Sequence, residues 1–432
     1  MTRCASFLFT AALAATTLFP LSSFAGTTVT LQDAYDSAFR TYESAKIAEE
    51  GVGQAESRVD QAWSSVYPRI TASSSYTRYN ESLPQGSDTS VYQPLSSIKA
   101  SATLKQPLYT GGRTLAALRI AKSQAEGSRR DLARVKQEVM LAVNKTFFGV
   151  LRAMKHVEIS RASLERMERH LSVTEREAAT RRTKANASSL LRANTLVSQA
   201  RITLVRSEET VKNARKQLAL LTGLPEEVEL AEPQPAELPA DDPTHLVDTA
   251  LQNRDDYARV RLSREEAKEY VTVVEGAHYP QISAEGNITY TDSSPKTILD
   301  GTIYYGGVKI EVPLFEGGLM KAESAEIRSK YRQAELAEVL LKRTIENDVH
   351  DAYLHLQTTI TVLETSKLQL DYARRNFDAV EGLYREGLVP SLSLIDAEQT
   401  LSFAEKDFVN TTYDREIAIV DLQKSIGLLG KR

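Results

Sequence analysis

The sequence predicts an α+β membrane protein made of two structural repeats, each with a long α-helical coiled-coil rod and a β-hairpin. Three observations support this prediction. The chain repeats the same short motifs in the same order, it carries helical periodicity over very long stretches, and it contains short segments in which apolar and polar residues alternate.

The length and net charge of the chain limit the number of domains and the kinds of partner. The chain has 432 residues, enough for two or three domains, and its formal net charge is only −4. This balance gives no electrostatic reason to expect binding to nucleic acid or to an anionic membrane surface.

Residues 1–25 are predicted to be a secretory signal peptide. Arg3 is followed by a mostly apolar run from Phe7 to Leu21, and Ala25 provides a small residue for cleavage. A buried N-terminal helix is the alternative. Cys4, the only cysteine, lies inside this segment and not after the apolar run, so we predict no lipid anchor, no disulfide and no thiol catalysis.

No later segment has the roughly 18 to 20 unbroken apolar residues of a membrane-spanning helix. If the protein crosses a membrane, it is therefore expected to do so with strands.

Short motifs recur along the chain at a nearly constant offset of about 205 to 212 residues. The order of these motifs is the same in both halves, so an origin by chance is improbable and the chain is predicted to contain a first repeat, 26–223, and a second repeat, 246–432. Residues 224–245, rich in Pro and Glu, are predicted to be a linker. The recurring hairpin-boundary motifs are Tyr67-Pro68 and Tyr279-Pro280, Pro107 and Pro313, and Gly111-Gly112 and Gly317-Gly318.

Each repeat follows the same order of elements. A helix ends before a proline, a β-hairpin follows, a glycine pair precedes a very long helix, and a short turn leads to a last helix that a glycine closes. In the first repeat that turn is predicted near Ala185-Asn186. The predicted helices are 30–66, 113–182 and 188–221 in the first repeat and 246–277, 319–384 and 391–425 in the second, with hairpins at 69–107 and 281–313.

The long helix of the first repeat carries apolar residues at alternating spacings of three and four, including Val139, Val143 and Phe147. This spacing indicates a coiled-coil seam. About 70 residues would span roughly 105 Å, and the two shorter helices of the repeat together match that length. Stacked end to end, they could complete a two-stranded rod.

The hairpin strands alternate in polarity, as in Ile98 to Lys105, where every second residue is apolar. Both a membrane-barrel strand and a half-buried soluble strand show this period. Four strands per chain cannot close a barrel, and open strand edges in lipid cost several kcal/mol for each unpaired group. A membrane location therefore requires oligomerisation, and a duct for large cargo favours three copies with twelve strands over two copies with eight.

These motifs, together with Tyr384-Arg385-Glu386-Gly387-Leu388-Val389 and Ser425-Ile426-Gly427, resemble the TolC family of outer-membrane efflux and secretion channels. The resemblance covers essentially the whole mature chain. It implies a homotrimer with a 12-stranded β-barrel in the outer membrane of a Gram-negative bacterium, continuous with an α-helical periplasmic tunnel. It also implies a passive conduit without enzymatic activity or cofactor, opened by a periplasmic adaptor (a membrane fusion protein) and an inner-membrane pump.

The resemblance places the pore constriction near the second helical turn, at Asp396 and Tyr384. Three copies of Asp396 would form an acidic ring that attracts cations. The alternative is a solvated acid favoured by the helix dipole. Ser393 and Val389 stand where the family often has a second acid and a basic residue, so the bonds that lock the constriction cannot be carried over.

The first repeat's helical turn departs from the family pattern, because Thr183 stands where a glycine is expected. Arg181, Arg182 and Lys184 cluster at this turn, and together with Gly387 they mark a tip that could dock an adaptor or pump. Solvated surface charge is the alternative.

No phosphate-binding loop or nucleophile motif is present in the sequence. Asp351 and His355 lie four residues apart on a predicted helix and could share a metal ion. No HExxH motif or cysteine pair supports them, which favours a solvated or interhelical polar pair over a metal site. The leading functional hypothesis is therefore an outer-membrane exit duct of a tripartite efflux pump or type I secretion system. The rival hypothesis is a soluble periplasmic coiled-coil adaptor or scaffold.

Overall fold

The computed structural model describes residues 28–84, 91–180, 184–234 and 242–431. The predicted signal peptide lies outside these residues. The fold is mostly helical with one main antiparallel sheet, which confirms the predicted combination of helical rods and hairpins. The helices are α1 (Leu31–Thr41), α2 (Glu43–Ser64), α3 (Arg113–Thr180), α4 (Lys184–Thr222), α5 (Pro243–Asn253), α6 (Asp255–Gly276), α7 (Leu319–Arg385) and α8 (Ser391–Ser425).

The helix that opens each repeat is broken, which corrects the predicted continuous helices 30–66 and 246–277. The breaks fall at Tyr42 (φ −74°, ψ 120°) and at Arg254 (φ −72°, ψ 122°), where the backbone is extended. Each break lies beside the glycine that follows the repeat's last helix. Gly223 approaches the Thr41 side chain, and Gly427 approaches the backbone of Asn253 and Arg254. The broken helices thus make room for these helix ends.

The turn of the first helical hairpin is also placed differently from the prediction. Ala185 and Asn186 belong to α4, which begins at Lys184. Alanine and lysine favour helix, and no glycine or proline interrupts this stretch, so the helix extends toward residues 181–183. Those three residues lie outside the described part of the chain.

The described beginning of the linker, 224–234, packs against the first repeat as an ordered segment. Val29 donates a hydrogen bond from its N–H to the Glu229 carbonyl (2.8 Å), and the Ala231 N–H donates to the Val29 carbonyl (2.9 Å). Leu224 and Val228 are buried in the same apolar cluster as Val29. The Pro- and Glu-rich composition predicted a linker, but residues 224–234 are packed against the first repeat because their few apolar side chains are buried there.

The main sheet contains β1 (Arg69–Arg78), β4 (Ser96–Tyr109), β5 (Gln281–Ser294) and β6 (Gly301–Glu311), paired in the order β1-β4-β5-β6. The loop of the first hairpin adds the small strands β2 (Leu83–Pro84) and β3 (Val91–Gln93). All pairings in the main sheet are antiparallel, and β4 with β5 joins the two repeats. Within the described residues, β1 and β6 each have one edge without a strand partner.

The duplicated boundary motifs occupy the junctions between helices and strands. Tyr67-Pro68 lies between α2 and β1, and Tyr279-Pro280 lies between α6 and β5. Pro107 lies in β4 beside an irregularity in its pairing with β5, while Pro313 follows β6. The glycines of both pairs have positive φ, a conformation that disfavours other residues, and they precede the two long helices. These glycines are Gly111, Gly112, Gly317 and Gly318.

Helices from both repeats pack around α3. Phe147, Val143 and Val150 are fully buried in a cluster that includes residues of α1, α4 and α8. A second cluster centres on Ile345 and Val349 of α7. None of the described helices is long and apolar enough to cross a membrane.

Gly111 and Gly276 lie close together where the two repeats meet at the base of the sheet. A Cβ atom at residue 276 would lie 2.5 Å from the Gly111 carbonyl oxygen, so Gly276→Ser is expected to force the end of α6 away from this turn. Overpacking of this kind costs about 1 to 3 kcal/mol. Thermal unfolding of the purified protein measures the loss. Ser64, the residue at the end of α2 in the other repeat, supplies the control Ser64→Ala, and equal stability of both variants would contradict the close contact.

Candidate functional site at the helical tip

The turn between α7 and α8 ends one helical hairpin at the tip of the molecule. Gly387 has a φ of +73°, its N–H donates to the Tyr384 carbonyl (3.0 Å), and the Leu388 N–H donates to the Leu383 carbonyl (2.9 Å). This is the bonding of a Schellman motif, in which glycine is favoured at the left-handed position. Pro390 then immediately precedes α8. The predicted turn is thus built from backbone bonds.

Apolar packing fixes the two helices behind this turn. Tyr384 is buried in a cluster with Phe377 of α7 and Leu394 of α8, and Val389 packs against it. Val389 stands at the position where the family resemblance implies a basic residue. At this position the chain therefore supplies apolar contact to the tip in place of a charge.

His170 of α3 joins the same cluster from the other helical hairpin. Its ring centroid lies 5.3 Å from that of Tyr384, and its Nε2 shares a hydrogen bond with the Ser391 hydroxyl (2.9 Å). Burial lowers the pKa of His170 and raises the pKa of Tyr384. The buried Tyr384 hydroxyl lies beside Thr174 without completing a hydrogen bond in the described part of the chain. These contacts connect α3 with both arms of the α7–α8 hairpin.

A buried ion-pair cluster lies farther from the tip. Arg166 of α3 contacts Glu398 and Glu405 of α8, each at 3.3 Å, and its guanidinium lies over the Phe377 ring at 5.8 Å. Ser163 donates a further hydrogen bond to Glu398 (2.6 Å). The Arg166 and Glu398 side chains are only 12% and 5% exposed. This cluster therefore holds α8 against α3 through charges that water does not screen.

Asp396 lies on the opposite face of α8. Leu394, Ala397 and Glu398 are buried, whereas Asp396 and Thr400 are exposed one helical turn apart. The Asp396 carboxylate takes part in no ion pair among the described residues. Asp396 is the sixth residue of α8, and the effect of a helix dipole falls off within the first turn. The dipole therefore gives little reason for an acid at this position.

The proposed docking tip can be placed only in part. Arg181 and Arg182 lie outside the described residues, and Lys184 is the first residue of α4, with its side chain also outside the description. Gly387 lies in the corresponding turn of the second helical hairpin. A docking role for these residues stays a prediction.

Among the described residues, no third side chain of a metal-binding type joins Asp351 and His355. Asp351 and His355 are both exposed on α7. Across the described ranges, no three His, Cys, Asp or Glu side chains are grouped so that they could hold a metal ion.

Sequence reasoning missed Arg166, Glu398 and His170. Arginine and glutamate are common throughout these helices, and the partners of each contact lie more than 200 positions apart in the chain. Arg166 and Glu398 differ from the many solvent-exposed arginines and glutamates only because α3 packs against α8 and buries their side chains. No local motif could have indicated them.

Comparison with known proteins gives a consistent picture. The model of the family described as outer membrane efflux protein matches residues 45–224 and 246–428. Outer membrane protein TolC of Vibrio cholerae is 23% identical over 87% of this chain and 85% of its own length. The pyoverdine export outer membrane protein OpmQ of Pseudomonas aeruginosa is 26% identical over 74% of this chain and 67% of its own length.

Among solved structures, the CmeC outer membrane channel of Campylobacter jejuni superposes with a TM-score of 0.80 at 17% identity. The match covers 92% of this chain and 85% of CmeC. At this level of identity the likeness concerns the fold.

Proposed function

Because the chain belongs to the outer membrane efflux protein family, we propose that it is the outer-membrane exit duct of an efflux or secretion system, assembled as a homotrimer. In this proposal the duct is a passive conduit and hydrolyses nothing. A periplasmic adaptor and an inner-membrane pump open it, and the pump supplies the energy. The sheet meets outer-membrane lipid, and the helices form a tunnel in the periplasm.

The observation that carries this proposal is that the sheet of one chain has, within the described residues, two unpaired edges and exposed apolar residues. Every residue of β1 and nearly every residue of β6 is exposed. Ile70 and Tyr304, on the apolar face, are 74% and 80% exposed. Four strands with two open edges cannot line a pore in lipid, whereas three copies supply twelve strands and leave no edge.

The helices also present a surface suited to another copy. Exposed leucines recur on α7 at intervals of two heptads, so they lie on one face of the helix. Asn347 and Thr361 occupy the heptad positions between these leucines, so the apolar stripe is interrupted. Large apolar side chains that are exposed repeatedly on one face of a helix suit burial against another copy. The residues of this stripe are Leu340, Leu354 and Leu368, extended by Leu336 and Tyr372.

Membrane fractionation and the native mass test this proposal directly. We expect the protein in the outer membrane, released by detergent as a particle of three chains. A water-soluble particle of one chain would contradict the duct and favour the periplasmic scaffold, because an intact sheet would then exist without lipid. The variant Leu354→Glu, which places a charge in the α7 stripe, is expected to lower the yield of trimer.

Asp396 is proposed to line the constriction of the trimer. Three carboxylates near the threefold axis would attract cations, so Asp396→Asn is expected to lower the ratio of cation to anion permeability several-fold. The reversal potential of single channels in a planar bilayer, recorded across a salt gradient, measures this ratio.

Glu364→Gln is the matched control for Asp396→Asn. Glu364 is exposed on α7, 20 residues before Tyr384, which places it roughly 30 Å along the helix from the tip. The Glu364→Gln substitution removes one negative charge from each subunit, as Asp396→Asn does. Unchanged selectivity in Asp396→Asn, or an equal change in both variants, would remove Asp396 from the constriction.

A further inference from the structure

The two hairpins have the same internal register. Pro107 and Pro313 show that a β4 residue corresponds to the β6 residue 206 positions later, and Pro68 and Pro280 give an offset of 212 for β1 and β5. In the first hairpin Arg69 pairs with Lys105. Applying the two offsets gives residues 281 and 311, and Gln281 indeed pairs with Glu311. The repeat therefore preserves strand pairing residue by residue.

The junction between the hairpins supplies a template for the junction between copies. Inside one chain, β4 of the first repeat pairs with β5 of the second, and Leu104 lies opposite Gly286. The strands equivalent to β4 and β5 are β6 and β1, which carry the two open edges of the sheet. In a closed ring of three identical copies, each contact is head to tail, so both edges are satisfied when β6 of one copy meets β1 of the next.

We propose that β6 of one copy pairs with β1 of the next in the register of the internal β4–β5 junction, so that Val308 lies opposite Tyr76 of the neighbouring copy. This inference rests on the proposed trimer and specifies its strand interface. The same rule places Ile310 opposite Ser74 and Gly306 opposite Arg78. It is copied from the observed pairs Ala102 with Ile288, Leu104 with Gly286 and Ala100 with Tyr290.

The chemistry of the facing residues agrees with this register. Val308 and Ile310 continue the apolar row of β6, and Tyr76 lies in the row of β1 that pairs with Ile98. A slip by one residue would turn one apolar row toward the opposite face of the sheet. Size is also matched. Leu104 faces a glycine inside the chain, and Ile310 would face the small Ser74 between copies.

The junction between two copies is expected to match the internal β4–β5 junction along the strands but not at the base of the sheet, where the helices begin. Gly111 and Gly276 touch inside the chain, and the equivalent positions between copies are Gly317 and Ser64. The Ser64 Cβ atom could not approach the Gly317 carbonyl as closely as Gly276 approaches Gly111. The strands therefore retain the internal register while the adjoining helix ends lie farther apart.

Disulfide trapping in the full-length chain tests the register. Cys4 is the only natural cysteine, so the single-cysteine variants Tyr76→Cys and Val308→Cys account for any background. The double variant Tyr76→Cys/Val308→Cys should form cross-linked chains under mild oxidation. Directly opposite antiparallel residues have Cα atoms about 4.5 to 5.5 Å apart, inside the range that a disulfide spans. Because β1 and β6 lie at opposite edges of one sheet, these bonds must join different copies.

Two shifted pairs, Tyr76→Cys/Ile310→Cys and Tyr76→Cys/Gly306→Cys, are the matched controls. We expect them to cross-link on the order of tenfold more slowly, because Cα atoms more than about 7 Å apart cannot be bridged without backbone movement. A second matched pair, Ser74→Cys/Ile310→Cys, should cross-link efficiently and keeps Tyr76 intact. Faster cross-linking of a shifted pair in a native trimer would overturn the register while leaving the duct. A native mass of one chain would overturn both.

Discussion

Arg166→Met is expected to destabilise the protein by about 3 to 5 kcal/mol, because it leaves a buried glutamate without its partner. The Glu398 side chain is 5% exposed, and its carboxylate accepts hydrogen bonds from the Arg166 guanidinium and the Ser163 hydroxyl. Once the guanidinium is gone, the hydroxyl alone cannot compensate a buried carboxylate. Denaturant or thermal unfolding of the protein in detergent measures this loss.

An exposed pair on the same helix provides the control for Arg166→Met. Arg169 bonds to Glu165 at 2.8 Å, with both side chains more than half exposed. Arg169→Met makes the same substitution three residues away and is expected to cost about 0 to 1 kcal/mol, as solvent-exposed pairs do. The double variant Arg166→Met/Glu398→Gln should recover much of the lost stability. If the single arginine variants lose equal stability, the buried pair does not hold α8 against α3.

The buried ion pair also has a consequence for the proposed constriction. Glu398 lies two residues after Asp396, on the opposite face of α8. Whatever fixes Glu398 against α3 therefore sets how far Asp396 projects on the exposed side. Loss of Arg166 is expected to broaden single-channel current levels without removing the Asp396 charge.

The repeated architecture could be predicted from the sequence because its signals are local. The apolar seam of α3 and the glycine pairs each depend on neighbouring residues, and duplication reinforces them. The breaks at Tyr42 and Arg254 could not be predicted in this way. Neither residue is a glycine or proline, and each break depends on a glycine about 180 positions away in the chain.

In the candidate site, too, residues marked by a local motif could be predicted, whereas residues placed by long-range packing could not. Asp396 and Tyr384 could be selected because a short motif around Gly387 indicates the helical turn. The contacts of His170 and Arg166 with α8 arise only when the two helical hairpins pack together. Strand alternation predicted both faces of the sheet but left its surroundings open, since lipid and a protein core impose the same period.

Phe147→Pro is expected to prevent assembly of the trimer. Phe147 is fully buried where α1, α3, α4 and α8 meet, and its ring lies 6.4 Å from that of Phe148 in an edge-to-face arrangement. Proline removes a hydrogen bond inside α3 and clashes with the preceding turn, which costs about 3 kcal/mol or more. Loss of the ring adds about 3 to 5 kcal/mol. The yield of native trimer in the membrane fraction measures the combined effect.

Two further substitutions at Phe147 separate the causes. Phe147→Ala removes the ring and keeps a good helix former, so the difference between the Ala and Pro variants isolates the break in α3. Phe147→Leu keeps most of the apolar volume and is expected to cost about 1 to 2 kcal/mol with normal assembly. A normal yield of trimer from Phe147→Pro would mean that α3 need not be continuous. The rod of about 100 Å, and with it a tunnel formed from six such rods, two in each of three copies, would then lose its physical basis.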